Sequence, residues 1–188
     1  MGALEQSGPA ALDAAACPAN PTADFGWQHC LSVPRELHWA NGRLTAWPVR
    51  ELERLRKGIR TIDFSGAVRR AVGPALDLEL ENHGSRLTAA LEGAAVICWE
   101  DGLLTLTLDE ACGFGRTVRT AAVRRLHSLR LLVDSSSLEL YLNDGEQVMT
   151  SRFYPQEPLY LRLEGEGYAE LYDMNAMEMK TIQDERRP

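Results

Sequence analysis

Four carboxylates within one short run are the side chains of this sequence whose types and spacing could do chemistry. Residues 133–155 read VDSSSLELYLNDGEQVMTSRFYP and contain Asp134, Glu139, Asp144 and Glu146. Two carboxyl groups held at a fixed separation can act as a general acid and a general base. The run is therefore either an acid–base site or part of a scaffold, and the surrounding pattern discriminates between the two.

Alternating leucines through this run favour the scaffold. In the segment LELYL the three leucines point to one side of a strand, while Glu139 and Tyr141 point to the other. Asp144 and Gly145 predict a hairpin turn, because a short polar side chain tolerates turn geometry and glycine has no Cβ. A two-residue loop and a three-residue loop with a glycine bulge are both open.

The remaining polar side chains of the run do not assemble a catalytic or metal site in the sequence. Asp134 is expected to accept hydrogen bonds from neighbouring backbone amides. Residues 135–137 are serines, and a nucleophilic serine needs a positioned base, for which His127 is the one histidine nearby. We expect Glu139 to pair with a cross-strand neighbour or to face solvent. The sequence predicts no catalytic residue, no metal site and no cofactor.

The balance of residue types places the chain among ordinary soluble proteins. Of its 188 residues, 45% are hydrophobic and 25% are charged, and the net charge is −7. An acidic balance argues against a nucleic-acid partner, because phosphate binding needs a surplus of lysine and arginine on one face. Residues 116–130 contain five arginines with apolar residues between them, which favours a solvated edge.

Two further absences in the sequence set expectations about its location. No apolar run approaches the roughly 20 residues of a membrane span, so no membrane partner is expected. The first residues lack the basic start and dense apolar centre of a secretory signal, so a cytoplasmic location is expected by default.

The four cysteines are widely spaced and do not form the close pairs of a zinc knuckle or a redox motif. They are Cys17, Cys30, Cys98 and Cys112. Buried free thiols are expected, and disulfides remain open because the count is even.

Short apolar alternation followed by a turn signal repeats from residue 61 to residue 173. Hairpin turns are predicted at Asn41–Gly42 and Asp101–Gly102. Without convincing helices between the strands, the pattern predicts an all-β fold, a two-sheet antiparallel sandwich of the jelly-roll or concanavalin-like kind. The strand candidates are TIDFSG, ALDLELEN, RLTAALEG, AAVICW, GLLTLTLD, RTVRTA, SLRLLVD, SLELYL, QVMTSRFY, LYLRLEG and YAELYDM.

Composition shifts divide the chain into four parts. Residues 1–23 are expected to be an irregular leader broken by prolines, and residues 24–58 to hold an N-terminal hairpin and a linker. The segment PVRELERLRK within that linker is either one or two turns of helix or a covering strap. Residues 59–176 are predicted to form the sandwich, and residues 177–188 a polar tail that frays.

Four sequence blocks, in this order, resemble a known family. They are Gly-Trp-Gln-His at residues 26–29, Pro-Arg-Glu-Leu at 34–37, Ser-Ser at 136–137 and Asn-Asp-Gly-Glu at 143–146. From about Pro21 to Tyr160 the chain resembles the C-terminal part of glycoside hydrolase family 32, which contains β-fructofuranosidases, invertases and sucrose-6-phosphate hydrolases. Such enzymes pair a catalytic five-bladed β-propeller with a C-terminal β-sandwich. The resemblance implies the sandwich, the inter-domain connection and a remnant of the last blade in residues 24–58.

The catalytic motifs of that family are not found in this sequence. A retaining glycosidase needs a nucleophile and an acid/base about 5 Å apart. The family takes them from Trp-Met-Asn-Asp-Pro-Asn and Glu-Cys motifs, with a stabilising aspartate from Arg-Asp-Pro. Asn143–Asp144 and Glu110–Cys112 are partial look-alikes, and the sequence departs from the family around 109–116. Met1–Gly2 stands where the family has Trp-Met-Gly in its last blade, which implies a start at an internal methionine of a longer enzyme; an ordinary start followed by glycine is the alternative.

The resemblance therefore implies a non-catalytic module with a structural or oligomerisation role. The alternatives are a fructan- or oligosaccharide-binding module, or a fragment that complements a separate propeller. The expected partner is a catalytic β-propeller, in the same chain or another, or a second copy of this chain, with a fructo-oligosaccharide as the alternative ligand.

The same resemblance implies a surface for that partner. It places Trp27 and Trp47 near the junction between propeller and sandwich, and it makes residues 34–37 the inter-domain strand. Arg35 and Glu36 are expected to pair with groups across that junction. The implied inter-domain or partner surface comprises Trp27, Pro34, Arg35, Glu36, Leu37 and Trp47.

Overall fold

A computed structural model describes residues 20–40 and 42–177 of the chain, and nearly all regular structure in it is strand. Two 3-10 turns, Pro21–Phe25 and Arg50–Leu55, and one short helix, α1 (Glu110–Gly113), complete it. The strands are β1 (Arg35–Ala40), β2 (Arg43–Pro48), β3 (Arg56–Val72), β4 (Leu76–Leu91), β5 (Ala95–Glu100), β6 (Leu103–Leu108), β7 (Val118–Ala122), β8 (Ser128–Asp134), β9 (Ser137–Leu142), β10 (Gln147–Arg152) and β11 (Leu159–Met174).

Three long strands, in the order β3–β11–β4, run through both layers of the fold. The first half of β4, residues 76–81, pairs with β8, and its second half, residues 87–91, pairs with β5. Strand β11 follows β4 along both halves, and β3 follows β11. Sheet I therefore continues through β8, β9 and β10, and sheet II through β5, β6 and β7. All pairings are antiparallel, which confirms the predicted all-β antiparallel sandwich.

A bend at glycines lets one ribbon serve two sheets. Gly66 lies opposite Gly165, and both have positive φ, 108° and 141°. A Cβ at Gly167 would overlap the carbonyl oxygen of Glu81, so only glycine allows β11 and β4 to approach this closely. The register of β11 against β4 shifts between Gly165 and Gly167. These features bend β3, β4 and β11 in the middle. The leucines in one half of β4 and of β11 then face the leucines in the other half across the core.

The sharpness of the bend is visible within β3 itself. The Arg60 guanidinium donates a hydrogen bond of 2.8 Å to the carbonyl oxygen of Ala71, eleven residues further along the same strand. Eleven residues of straight strand would span about 36 Å, far beyond the reach of an arginine side chain. The strand therefore doubles back, which brings the open ends of the two sheets together.

This bend explains where the predicted strand boundaries are wrong. ALDLELEN and RLTAALEG are two halves of β4, and LYLRLEG and YAELYDM are two halves of β11. The sequences NHGS and EGEG between them look like turns but continue the strand through a bend. TIDFSG likewise is the middle of the 17-residue strand β3. Eleven candidates thus correspond to nine sandwich strands.

The core lies between the two sheets and consists mainly of leucine. Leu78, Leu131 and Leu140 face inward from sheet I, and Leu104 and Leu163 face inward from sheet II; each is 0–1% exposed. Their neighbours one residue along each strand point outward, because successive side chains of a strand alternate. The apolar face predicted from the leucine alternation is therefore the core face.

Of the predicted hairpin turns, the one at Asp101–Gly102 forms as expected and the one after β9 differs in length, while Asn41 lies outside the described residues. Asp101 and Gly102 both have positive φ, 49° and 78°, as a tight turn requires. After β9 the loop has four residues, 143–146, because Leu142 pairs with Gln147. Both predicted lengths were therefore wrong. The Asn143 side chain accepts from the His127 N–H at 3.0 Å, which holds the loop against the residues just before β8.

The cysteines and the linker helix are only partly as expected. Cys98 and Cys112 are free thiols that are half-buried and buried, but Cys30 is free and exposed, so its predicted burial is wrong. Cys17 lies outside the described residues. PVRELERLRK contains the 3-10 turn at 50–55, and it is also a strap, since Leu52 is buried against sheet I. Within the described residues, no helix is long and apolar enough to cross a membrane.

Candidate partner-binding surface

Large apolar side chains are exposed throughout the segment from residue 25 to residue 44. Leu31 is 96% exposed and Trp39 is 74% exposed, which is unusual for side chains of this size. Large apolar side chains exposed in this way indicate a candidate site of interaction with another protein domain or a ligand. The exposed large apolar residues of the segment are Phe25, Trp27, Leu31, Leu37, Trp39 and Leu44.

Three of these residues form a stripe on the β1–β2 hairpin. Trp39 lies directly opposite Leu44, and Leu37 stands two residues before Trp39 on the same side of β1. We call Leu37, Trp39 and Leu44 the hairpin stripe. The hairpin contains two strands only and pairs with no third strand of the sandwich. Its stripe is therefore presented on a two-stranded element that is separate from the sheets of the sandwich.

The hairpin is held to the sandwich at the loop after β9. The Ala46 N–H donates to the Gly145 carbonyl oxygen at 3.0 Å. A Cβ at Gly145 would overlap the Ala46 carbonyl, and Gly145 also has a φ of 85°. Arg43 adds an exposed ion pair to Glu146 at 3.3 Å. The position predicted as a turn glycine is thus also the point where two parts of the chain meet.

Trp47 faces the sandwich and not the exposed surface. Its ring meets the ring of Tyr141 edge-on, with the centroids 5.7 Å apart. Leu52 and Leu132 are buried with Tyr141 in this second, smaller apolar cluster on the outer face of sheet I. Val33 and other partly buried residues pack around them. Trp47 therefore anchors the segment instead of offering a free aromatic face.

A buried carboxylate anchors the same segment by hydrogen bonds. Glu139 on β9 is 2% exposed, and its Oε1 accepts from the Val33 N–H at 2.7 Å. Its Oε2 accepts from Arg35 Nη2 and from the Tyr141 hydroxyl, each at 2.6 Å. Arg35 Nη2 also donates to Thr150 Oγ1 at 2.6 Å. The buried charge is paired and hydrogen-bonded, as a charge away from water must be.

Protonation within this group of side chains is shifted accordingly. Burial, followed by the hydrogen bond to the Glu139 carboxylate, raises the pKa of Tyr141 far above its usual range. For Arg35, burial disfavours the charge, but the hydrogen bonds to Glu139 and Tyr141 outweigh it and raise its pKa. Both hydrogen-bond donors therefore keep their protons across the physiological range.

Each of the four carboxylates in the run 133–155 has a structural contact. Asp134 accepts from the Ser135 N–H at 2.7 Å, as expected for local capping. Asp144 accepts from the Ser128 hydroxyl at 3.1 Å. Glu146 pairs with Arg43, and Glu139 with Arg35. The described contacts of Glu139 are with donors, so its arrangement is that of a salt bridge and not of an acid–base pair.

A second buried ion pair lies next to Trp47 on sheet I. Arg130, 1% exposed, donates to both carboxylate oxygens of Asp77 at 3.0 and 2.8 Å. Arg56 binds Asp77 at 2.8 Å and also Glu79. The Arg130 guanidinium lies 5.4 Å from the Trp47 ring centroid. The expectation that this arginine belongs to a solvated edge is wrong, because its partner stands at a polar position of the neighbouring strand β4.

The sequence-predicted surface residues are therefore divided between anchor and exposed roles. Trp27 is 43% exposed, with its ring over the Arg152 guanidinium at 5.1 Å. Pro34 and Leu37 are exposed, and Glu36 is exposed with His38 Nε2 at 3.4 Å. Arg35 and Trp47 turn inward. Arg35 finds an acidic partner, Glu139, within this chain, and its pairing across a junction stays a prediction.

Sequence reasoning missed the most exposed members of the surface. Trp39 and Leu44 lie on either side of Asn41–Gly42, so the hairpin turn itself was the signal that places them opposite each other. Phe25 ends the short 3-10 turn at 21–25 and Leu31 lies in irregular structure, and neither offers a periodicity that marks a face. Within residues 20–40 and 42–177, no three side chains of His, Cys, Asp or Glu stand together as metal ligands.

Comparison with known proteins shows the origin of this arrangement. Residues 102–180 match the model of the family described as glycosyl hydrolases family 32 C terminal. Over 170 residues the chain is 33% identical to a probable sucrose-6-phosphate hydrolase of Vibrio cholerae, an alignment that covers 82% of this chain and 30% of that protein. With the sucrose-6-phosphate hydrolase of Bacillus subtilis it shares 28% identity over 146 residues, covering 73% and 30%. The chain thus spans about 30% of the length of the curated relatives it matches.

Solved structures share the fold. The sucrose-6-phosphate hydrolase of Lactobacillus gasseri superimposes with a TM-score of 0.75 at 22% identity, covering 84% of this chain and 36% of that one. A family 32 β-fructofuranosidase of Bombyx mori gives a TM-score of 0.68 at 21% identity, covering 83% and 35%. The family match, the relatives and the shared fold together show that this chain contains the C-terminal β-sandwich module of glycosyl hydrolase family 32.

Proposed function

We propose that this module is non-catalytic and supports a catalytic β-propeller of a sucrose- or fructan-hydrolysing enzyme through the exposed surface of residues 25–44. The observation that carries the proposal is the exposure of Leu31, Trp39 and their apolar neighbours in that segment. Relatives named sucrose-6-phosphate hydrolase are about three times as long as the matched region, which supports a second domain as the occupant.

The contacts of the acidic residues support the absence of catalysis. A glycosidase needs two carboxyl groups facing one another across the scissile bond. In the run 133–155 every carboxylate is engaged by an arginine, a hydroxyl or a backbone amide. A carboxylate committed to a buried salt bridge, such as Glu139, has no free face for a sugar.

The chemistry of the surface fits a protein domain. Tryptophan and leucine in a protruding position are typical of the few side chains that carry most of the energy of an interface. A domain partner covers an extended apolar surface, whereas a small polar ligand would leave most of it wet. The partner is a propeller in the same polypeptide or in a separate one.

Binding to a propeller tests this proposal directly. The catalytic portion of the Vibrio cholerae relative, without its own C-terminal module, serves as the probe and is co-expressed with the full chain. We expect the chain to co-purify with the probe and to increase its soluble yield and its hydrolysis of sucrose 6-phosphate. The double variant Trp39→Ser, Leu44→Ser should lose this effect.

A matched double variant controls for general loss of apolar surface. Val96 and Leu103 are 41% and 50% exposed on sheet II and do not belong to the hairpin. Val96→Ser with Leu103→Ser should leave co-purification unchanged. Equal loss in both double variants, or no complex with the unsubstituted chain, contradicts the proposal.

The absence of catalysis has its own test. The purified chain should release no detectable fructose from sucrose or inulin. Turnover that survives repurification and disappears on substitution of a carboxylate of this chain would overturn the non-catalytic assignment.

A carbohydrate-binding role is the second candidate, and the exposed ring of Trp39 favours it. A flat indole that is 74% exposed can stack on a sugar ring. Titration calorimetry with fructo-oligosaccharides should then give heat that Trp39→Ser removes. If the module is only a scaffold, neither the unsubstituted chain nor Trp39→Ser gives heat.

A further inference from the structure

We propose that Glu139 is a positioning residue: it fixes residues 33–35 on sheet I and so sets the orientation in which the hairpin stripe meets a partner. The fixing concerns this chain alone, and its consequence for a partner rests on the proposed function. We call Glu139, Arg35 and the Val33 N–H the Glu139 clamp.

The donors of Glu139 come mostly from the segment that it holds. The Val33 N–H and Arg35 Nη2 bind separate carboxylate oxygens, at 2.7 and 2.6 Å. Only Tyr141, at 2.6 Å, belongs to the same strand as Glu139. If the segment lifted from sheet I, the carboxylate would lose two of these three donors. The clamp therefore links the position of the segment to one buried charge.

Hydrogen bonds give the clamp a direction that the neighbouring apolar contacts lack. The cluster around Trp47 and Leu52 buries apolar area, which is non-directional and tolerates sliding. In the clamp, the backbone nitrogen of Val33 and Nη2 of Arg35 both donate to one planar carboxylate. Hydrogen bonds to a charged group are short and specific in geometry. The clamp therefore determines the angle at which β1 leaves the sandwich.

The position of the clamp along the chain links it to the stripe. Arg35 is the first residue of β1 and lies opposite Pro48, the last residue of β2. The contact of Ala46 with Gly145 holds the other strand of the same ribbon. With both strands fixed at this end, the ribbon cannot rotate, and Trp39 at its far end points in one direction.

The sandwich itself does not need Glu139. Its side chain lies on the outer face of β9, while Leu138 and Leu140 fill the core face and are fully buried. Substitution of Glu139 should therefore release the segment and leave the sandwich folded. This difference separates a positioning role from a general role in stability.

Amide hydrogen exchange of the full chain, followed by NMR, tests the clamp. Glu139→Gln keeps the size of the side chain but replaces one acceptor oxygen with a donor that faces other donors. The amides of Val33 and of Val49, which donates to the Pro34 carbonyl, should exchange at least about tenfold faster, because a hydrogen bond to a charged group is lost. The amide of Asn82, which donates to His127 O within the sandwich, should be unchanged.

Two further variants make the result decisive. Arg35→Met should accelerate exchange at Val33 and Val49 to the same extent as Glu139→Gln. The double variant should add little, because both substitutions break the same contact between Arg35 and Glu139. Thr150→Val removes only the second acceptor of Arg35 Nη2 and should give a smaller change. Unchanged exchange at Val33 in Glu139→Gln, or equal acceleration at Asn82, overturns the proposal.

The partner consequence is measured with the same propeller probe. Glu139→Gln should weaken its binding several-fold even though the hairpin stripe is intact. If the unsubstituted chain does not bind the probe, the proposed function fails, whereas the exchange experiment still decides whether Glu139 is a clamp. If a variant with accelerated exchange at Val33 binds the probe as well as the unsubstituted chain, the clamp does not orient the hairpin stripe. That result overturns the proposed effect on partner binding.

Discussion

The N-terminal region, residues 20–55, and the sandwich, residues 56–174, use the same alternating pattern in opposite ways. In the sandwich, the leucines of LELYL are fully buried, because a second sheet covers them. In the hairpin, Leu37, Trp39 and Leu44 alternate with polar residues just as regularly and are exposed. The pattern therefore identifies a face of a strand, whereas the surroundings decide whether anything covers it.

The seam between these regions differs again from both. It combines a small apolar cluster with two buried ion pairs, Arg35–Glu139 and Arg130–Asp77. Buried ion pairs add little net stability compared with apolar packing, but losing one partner is costly. The seam thus fixes a geometry, and the packed core of the sandwich supplies most of the stability. The hairpin stripe is exposed.

Truncation in the sandwich core should give the largest effect. Leu140→Ala removes a fully buried side chain between the sheets and should lower the free energy of unfolding by about 3 kcal/mol. Chemical denaturation measures the change. Val96→Ala, at an exposed position of sheet II, should change it by less than about 0.5 kcal/mol. Similar losses at both positions would show that the two sheets do not enclose a common core.

A methyl group at the bend should be the next most harmful change. Gly167→Ala places a Cβ on the Glu81 carbonyl oxygen, and backbone on both strands must move, so we expect a loss of about 2 kcal/mol. Gly73→Ala is the control, since its Cβ would stand 3.7 Å from Asp173 Oδ1. Equal stability of the two variants would argue that the three long strands are not closely packed at the bend.

Alkaline pH should weaken the fold next to the seam to a smaller extent. Burial, followed by the hydrogen bond to Glu170, raises the pKa of Tyr172 to about 12, compared with about 10 in an unfolded chain. The neutral phenol is thus favoured in the folded state. Its contribution is complete below about pH 10 and is lost as the pH rises towards 12.

Ultraviolet titration of tyrosine ionisation measures this shift. Tyr172→Phe should remove one late-titrating phenol and flatten the decline in stability between about pH 10 and pH 12. An unchanged titration curve in Tyr172→Phe would show that Tyr172 ionises with the exposed tyrosines.

Change in the hairpin stripe should have the smallest effect on stability. Trp39→Ser replaces a side chain that is 74% exposed, so the free energy of unfolding should change by less than about 0.5 kcal/mol. Thermal or chemical denaturation of the chain alone measures it. A loss comparable with that of Leu140→Ala would mean that the stripe is part of the core, and the contrast between the two regions would fail.

Prediction from the sequence worked best where a pattern is local. The leucine faces, the tight turn at Asp101–Gly102 and the all-β class follow from spacing over a few residues. The continuity of β4 through residues 82–86 and of β11 through residues 165–167 was not predicted. A glycine in the sequence indicates either a turn between two strands or a bend within one strand. In the four-residue loop after β9, Asn143 accepts from the amide of His127, which lies 16 residues earlier in the chain, and no local pattern contains such a contact.

The candidate surface divides along the same line. Residues 34–37 and two tryptophans were singled out from the sequence, but alternation could not show that Arg35 and Trp47 turn inward. Their partners, Glu139 and Tyr141, are more than 90 residues away along the chain. Trp39 was not singled out for this surface, because its exposure depends on the hairpin pairing with no further strand among the described residues.

The sequence by itself determined which residues of each strand share a face, where the tight turns fall and which family the module resembles. It did so because side chains alternate along a strand and because few residues tolerate positive φ. Tertiary structure alone decided that two pairs of predicted strands are single bent strands, that Glu139 and Arg130 are buried with partners, and that the hairpin stripe is exposed among the described residues. Those outcomes depend on contacts between residues far apart in the chain, and such contacts leave no periodic trace in the sequence.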